Sequence, residues 1–99
     1  MKIERQVWGK TSCGKDIMLH TLKNDNGIEV KLSDIGAGIV SILAPDRNGK
    51  MDDIVLGYPN ALDYLGDGPC AGKVPGRFAN RIANGQFCID GVEYQITKN

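Results

Sequence analysis

Charge of one sign is missing from this chain. Twelve lysines and arginines balance twelve aspartates and glutamates, and no block of like charge stands out. A surface without a basic stripe has little to attract nucleic acid or an anionic membrane, so neither is expected as a partner. Long apolar runs are missing too. The opening residues, Met1-Lys2-Ile3-Glu4-Arg5-Gln6, lack the apolar stretch of a signal peptide, and no segment approaches membrane-spanning length. Cytoplasmic residence is the expectation. Metal ligands are scarce: three cysteines (Cys13, Cys70, Cys88) without a CxxC spacing, and one histidine, His20. That scattered set suits free, reduced thiols better than a zinc site or a disulfide framework. Internal repeats and low-complexity segments are also absent. Ninety-nine residues allow one small domain, with a core large enough for marginal stability.

What the chain does have is β patterning cut by glycine turns. Ile17-Met18-Leu19-His20-Thr21-Leu22 reads as a strand ending at Lys23-Asn24-Asp25-Asn26-Gly27. Ile28, Val30 and Leu32 then alternate with Glu29, Lys31 and Ser33, the period of a half-buried strand. Asn26-Gly27 between the two predicts a hairpin. Nearer the start, Val7 and Trp8 lead into Gly9, and Cys13-Gly14 separates two short segments. Asp46-Arg47-Asn48-Gly49 turns the chain again, and Ile54-Val55-Leu56 is the next expected strand. Residues 57–74 are the least regular: Pro59-Asn60 can open a short helical turn through Ala61, Leu62, Tyr64 and Leu65, which Gly66-Asp67-Gly68-Pro69 breaks. A loop this long is functional or contains short structure of its own. Short antiparallel strands with regular turn signals predict an all-β fold, a sandwich or a barrel, with no internal domain boundary.

Three features invite a chemical reading and do not sustain it. Ile35-Gly36-Ala37-Gly38-Ile39-Val40-Ser41 resembles a dinucleotide loop, but serine stands at the third glycine and a strand, not a helix, follows. Glycines there serve close packing or a bulge. Asp52 and Asp53 are adjacent, yet neighbours in a strand point to opposite faces and cannot share a catalytic role. His20 lies in the early hairpin and reads as a strand-face residue.

The stretch that carries chemistry is Gly76-Arg77-Phe78-Ala79-Asn80-Arg81-Ile82-Ala83-Asn84-Gly85. Asn84-Gly85 suits the two positive-φ positions of a type I′ turn, and Phe87, Ile89, Val92, Tyr94 and Ile96 after it read as strand. The segment is thus expected to enter a β-sheet while carrying Arg81, a forked donor, beside Asn80, an amide that both donates and accepts. Such a pair can hold neighbouring hydroxyls of a polyol. On chemistry alone, the arginines can equally pair with carboxylates or carbonyls of the fold.

Gly-Arg-Phe-Ala-Asn-Arg-Ile at 76–82, followed by Asn84-Gly85 and Asp90-Gly91-Val92-Glu93-Tyr94, resembles the signature of the aldose 1-epimerases, or galactose mutarotases. Gly36-Ala37 through Ser41-Ile42 with Pro45-Asp46-Arg47-Asn48-Gly49-Lys50, and Val55-Leu56-Gly57-Tyr58 with Tyr64-Leu65, are similar to earlier blocks of that family in the same order. The resemblance implies the antiparallel β-sandwich of the mutarotase-like supersandwich. It also implies a small-molecule aldose, galactose or glucose, as substrate, and no metal or organic cofactor. By motif position it implies that Asn80 and Arg81 hold sugar hydroxyls, with Arg77 structural and tying the strand to its neighbours. Cys70-Ala71-Gly72-Lys73-Val74-Pro75 departs from the family, which more usually has an aromatic residue and a β-branched pair there.

Interconverting anomers means opening the ring hemiacetal and reclosing it on the other face, which takes a base at the anomeric hydroxyl and an acid at the ring oxygen. In the family a glutamate and histidines do this, in blocks that follow the strand matching Glu93-Tyr94-Gln95-Ile96. Residues 1–99 are therefore expected to be the N-terminal part of a single mutarotase-like domain, with no catalytic residue of their own. The other readings are a non-catalytic carbohydrate-binding or interaction module of the same fold and a relative acting on sugar phosphates. Unpaired sheet edges in a chain cut off this early invite self-association.

Overall fold

Three of the turns share one construction, and they set the order of the larger sheet. Thr11, Asn24 and Asp46 each begin a five-residue loop whose fourth residue is glycine, at φ of 82°, 87° and 82° for Gly14, Gly27 and Gly49. In each loop the glycine N–H donates to the carbonyl of the first residue, at 2.9, 3.3 and 3.0 Å. The first residue's own N–H closes onto the carbonyl of the fifth, Lys15, Ile28 or Lys50, at 2.9, 3.0 and 2.8 Å. The side-chain oxygen of the first residue then accepts the fifth residue's N–H: Lys15 to Thr11 Oγ1 at 3.0 Å, Ile28 to Asn24 Oδ1 at 2.9 Å, and Lys50 to Asp46 Oδ1 at 2.9 Å. Positive φ at the last loop position requires glycine, and this arrangement is the common three-residue hairpin connection. Asn26-Gly27 does make a hairpin, then, but of this kind and not a two-residue I′ turn.

The computed structural model describes residues 1–66 and 68–98. The chain is all-β with antiparallel sheets. A five-stranded meander runs β1 (Lys2–Lys10), β2 (Asp16–Lys23), β3 (Glu29–Ser33), β4 (Ile39–Pro45) and β5 (Met51–Asp53), neighbours in sequence being neighbours in the sheet. A separate hairpin pairs β6 (Gln86–Ile89) with β7 (Val92–Gln95). The opening residues form one nine-residue strand, its register shifted at Trp8 by a bulge between Val7 and Gly9. Two strand expectations are corrected. Residues 54–56 are not a strand; pairing with β4 ends at Asp53. The two-residue hairpin turn is Asp90-Gly91, at φ 50° and 78°, between Ile89 and Val92. The helical turn expected after Pro59-Asn60 is present as a 3-10 turn, Ala61–Tyr64. Of the residues expected to break it, Gly66 has φ 74° and Asp67 lies outside the described residues.

Register gives the sheet two unlike faces. On one, Ile3 pairs with Leu22, Leu22 with Val30, and Val30 with Ile42, an apolar row crossing four strands. On the other, Ile17 and Leu19 are buried with Ala61 and Tyr64 of the 3-10 turn, and these four make up the buried apolar core among the described residues. Tyr64 stands at its centre. It is fully buried, its ring tilts against Trp8 at 5.7 Å and meets Tyr58 edge-on at 5.1 Å, and its hydroxyl accepts the Tyr58 N–H at 2.9 Å. The apolar row is covered less: Ile3 is 61% exposed, and Leu22, Val30 and Ile42 are half-buried. The accessible surface is 7721 Å², against about 5,500 Å² for a compact monomer of this mass. The radius of gyration is 17.5 Å, against roughly 13 Å for a compact domain of this length. His20 sits in β2 opposite Arg5 and Leu32, a strand-face residue as expected.

The two aspartates of β5 do different work. Asp52 faces Lys50 at 4.0 Å, while the Asp53 carboxylate accepts the Ile42 N–H at 3.1 Å and the Val55 N–H at 3.0 Å. The Ser41 hydroxyl, then these backbone donors, hold the Asp53 carboxyl below its usual value. A carboxyl depressed on folding contributes stability above its unfolded value, and that contribution is lost as pH falls through the lower, folded value. Asp53→Asn should therefore lower Tm at neutral pH and flatten the acid side of the Tm–pH profile. An unchanged acid slope in thermal melts between pH 2 and pH 7 would show that these bonds do not favour the charged form.

Candidate sugar-binding site

The segment leads into a sheet, as expected, but is not itself strand. From Lys73 to Ile82 the backbone is irregular and most of it is exposed. Sheet pairing begins at Gln86, after a tight turn in which Gly85 donates to the Ile82 carbonyl at 3.0 Å and Gln86 to the Ala83 carbonyl. Asn84 and Gly85 take φ of 58° and 63°, so the Asn-Gly pair does adopt positive φ at both positions, yet it leads into β6 instead of joining two strands. Gln95, at the end of β7, pins this turn. Its side-chain amide donates to the carbonyls of Asn84, Gly85 and Ile96 at 3.2, 3.1 and 2.9 Å, and the Ile96 N–H reaches the Gly85 carbonyl at 2.9 Å. The hairpin that carries Gln95 is stiffened by Phe87 stacked on Tyr94 at 5.4 Å.

Asn80 is held in the left-handed region at φ 63°, a conformation that asparagine tolerates better than most residues. Its Oδ1 accepts the N–H of Arg81 at 2.8 Å. That turns the carboxamide oxygen back on the chain and leaves the amide nitrogen as the outward-facing donor. Arg81 and Arg77 are exposed, and neither makes an ion pair with another described residue. The pairing of these arginines with carboxylates is thus not realised among the described residues, nor is the structural tie expected of Arg77.

Asn80 lines an open hollow of about 590 Å³, walled by Phe78 and Ile82 and reached by Asn84, Thr97 and Lys98. Arg81 is not on that wall. The hollow is of ligand-pocket size and mixes an aromatic and aliphatic wall with a few polar groups, as pockets for small polar molecules do. Asn84, Thr97 and Lys98 were not singled out from the sequence. Asn84 was legible as half of an Asn-Gly turn. Thr97 and Lys98 carry no local signal, because they reach the hollow through the folding-back of β7 that Gln95 and Ile96 secure. No group of three His, Cys, Asp or Glu side chains converges among the described residues, and no helix there is long and apolar enough to cross a membrane.

Residues 18–99 match the family model described as aldose 1-epimerase. A probable aldose 1-epimerase from Arthroderma benhamiae is 42% identical over 78 residues, covering 75% of this chain and 18% of that protein. Galactose mutarotase from Rattus norvegicus is 34% identical over 99 residues, covering all of this chain and 29% of its own length. The crystal structure of a GalM/aldose epimerase homologue from C. elegans superposes with a TM-score of 0.67 at 37% identity, over 80% of this chain and 24% of that one. The chain thus spans less than a third of the length of the relatives it matches.

Proposed function

Since the chain belongs to the aldose 1-epimerase family, we propose that it is the N-terminal portion of an enzyme that interconverts the α and β anomers of aldohexoses such as galactose and glucose. In this reading Asn80 and Arg81 hold sugar hydroxyls. The acid and base that open and reclose the ring come from the remainder of the same domain. A base takes the proton of the anomeric hydroxyl while an acid protonates the ring oxygen, and two groups whose surroundings push their pKa values apart suit the task. The observation that carries the reading is Asn80, fixed at positive φ with its oxygen engaged and its amide nitrogen free to donate, on the wall of the hollow. The Ile3–Leu22–Val30–Ile42 row, exposed at Ile3 and half-buried at the other three, supports the assignment to part of a sandwich, in which a second layer would cover that face.

The test is polarimetry on the protein that carries this chain, started from pure α-D-galactose. Rotation should relax to equilibrium faster than in buffer alone, in proportion to protein concentration. A rate equal to buffer, together with measurable galactose binding, would replace this reading with a non-catalytic carbohydrate-binding module of the same fold.

A further inference from the structure

The stretch upstream of the hollow, where the chain departs from its family's usual residues, is fastened to the larger sheet. Lys73 N–H donates to the Cys70 carbonyl at 3.1 Å, closing a turn with Gly72 in its third position at φ 66°. Two further backbone bonds join this turn to the loop between β3 and β4: Ile39 N–H to the Gly72 carbonyl and Val74 N–H to the Gly36 carbonyl, both at 2.9 Å. The fit leaves no room for side chains. A Cβ at Gly72 would meet the Ile39 carbonyl oxygen, a backbone atom that cannot swing aside, and one at Gly36 would come within 3.1 Å of the Lys73 stem. The two glycines that resembled half of a nucleotide loop flank this contact, Gly36 within it.

We propose that this backbone clasp positions Asn80 and Arg81, with Gly72 as the positioning residue. The inference rests on the sugar-binding reading above. The candidate segment hangs between two anchors: Gln95 and the 82–86 turn fix its downstream end on the small hairpin, and the clasp fixes its upstream end on the five-stranded sheet. Between them, residues 75–81 are exposed and outside any sheet. Where the side chains of Asn80 and Arg81 can go is then set by the two anchors, and release of either lets the donors drift from the geometry a sugar requires.

The experiment is NMR on isotope-labelled protein carrying this chain, with D-galactose as the probe. In the parent protein the Ile39 and Val74 amides should exchange slowly, and galactose should shift the Asn80 and Arg81 amide signals. Gly72→Ala should abolish protection at Ile39 and Val74, move the Asn80 and Arg81 signals without sugar, and weaken galactose binding about tenfold or more, as a displaced binding group does. Signals of the β1–β2 hairpin should stay in place. Gly68→Ala, whose Cβ meets nothing within 4 Å, is the control and should change none of these. Should Gly72→Ala fail to fold, Gly36→Ala, which strains a φ of 61° and presses on Lys73 Cγ and Cβ at 3.1 and 3.3 Å but on no backbone atom, gives the same pattern in weaker form. Loss of protection at Ile39 and Val74 with Asn80, Arg81 and galactose affinity unmoved would overturn the proposal. If galactose shifts nothing in the parent but Gly72→Ala still moves Asn80 and Arg81, the clasp stands and the sugar reading falls.

Discussion

Arg81→Ala in the protein that carries this chain should lower kcat/KM for galactose mutarotation about 10- to 100-fold, the worth of one or two charge-assisted hydrogen bonds. Tm should stay within about 1 °C of the parent, because exposed substitutions away from packed features cost little. The two readouts separate because Arg81 is exposed and makes no ion pair with another described residue. Arg81→Lys keeps the charge and loses the planar fork, so it should recover only part of the activity. Asn80→Asp is the sharper companion. Its oxygen can still accept the Arg81 N–H that now sits at 2.8 Å, but the amide donors are gone. Lost sugar affinity with unchanged Tm in this variant assigns Asn80 its role as a donor. Parent-like kcat/KM in Arg81→Ala would remove Arg81 from the site.

Tyr64→Ala should be the most damaging single change in the larger sheet. Truncating a buried aromatic side chain costs about 3–5 kcal/mol, read as a clearly lower Tm in the protein that carries this chain. Total stability of native proteins is only about 5–15 kcal/mol, so the loss is a large share of the whole. The geometry explains the concentration of effect. Tyr64 holds Trp8 of the β1 bulge, Tyr58 and the backbone of the following loop in one cluster, and the remaining buried apolar side chains are Ile17, Leu19 and Ala61. Tyr64→Phe keeps the ring and gives up one hydrogen bond, about 1 kcal/mol. Gly57 passes so near that a Cβ there would lie 2.5 Å from the Tyr64 hydroxyl, which makes Gly57 a second sensitive position. Thermal melts in which the alanine and phenylalanine variants fall by similar amounts would show that ring burial is not what holds this face.

Much of the fold was legible because its signals are local. The alternation at 28–33 is a consequence of the two-residue period of a strand, and β3 occupies most of it. Glycine after Thr-Ser-Cys, Asn-Asp-Asn and Asp-Arg-Asn marks three turns whose backbone leaves little choice of residue. The errors fall where the deciding partner is distant in sequence. Ile54-Val55-Leu56 has every residue a strand favours, yet pairing stops at Asp53, whose carboxylate instead takes the N–H groups of Ile42 and Val55. Leu56 is left 96% exposed.

The candidate site divides in the same way. Asn80 and Arg81 were named from their motif, and Asn84-Gly85 from its turn chemistry, since both depend on residues in unbroken succession. Thr97 and Lys98 reach the hollow because the end of β7 is tied by Gln95 to Asn84 and Gly85, and Arg81 does not line it. The sequence by itself determined the strand class and most of the turns, which follow from backbone preference and side-chain chemistry over a few neighbouring residues, and the family, which came from resemblance of whole motifs. Only the tertiary structure decided that Tyr64 is the centre of the core, that the Ile3–Leu22–Val30–Ile42 row lies on the face away from it, and that Gly72 is hydrogen-bonded to Ile39. Those facts rest on contacts between residues tens of positions apart, where packing and hydrogen bonding override what any local stretch prefers.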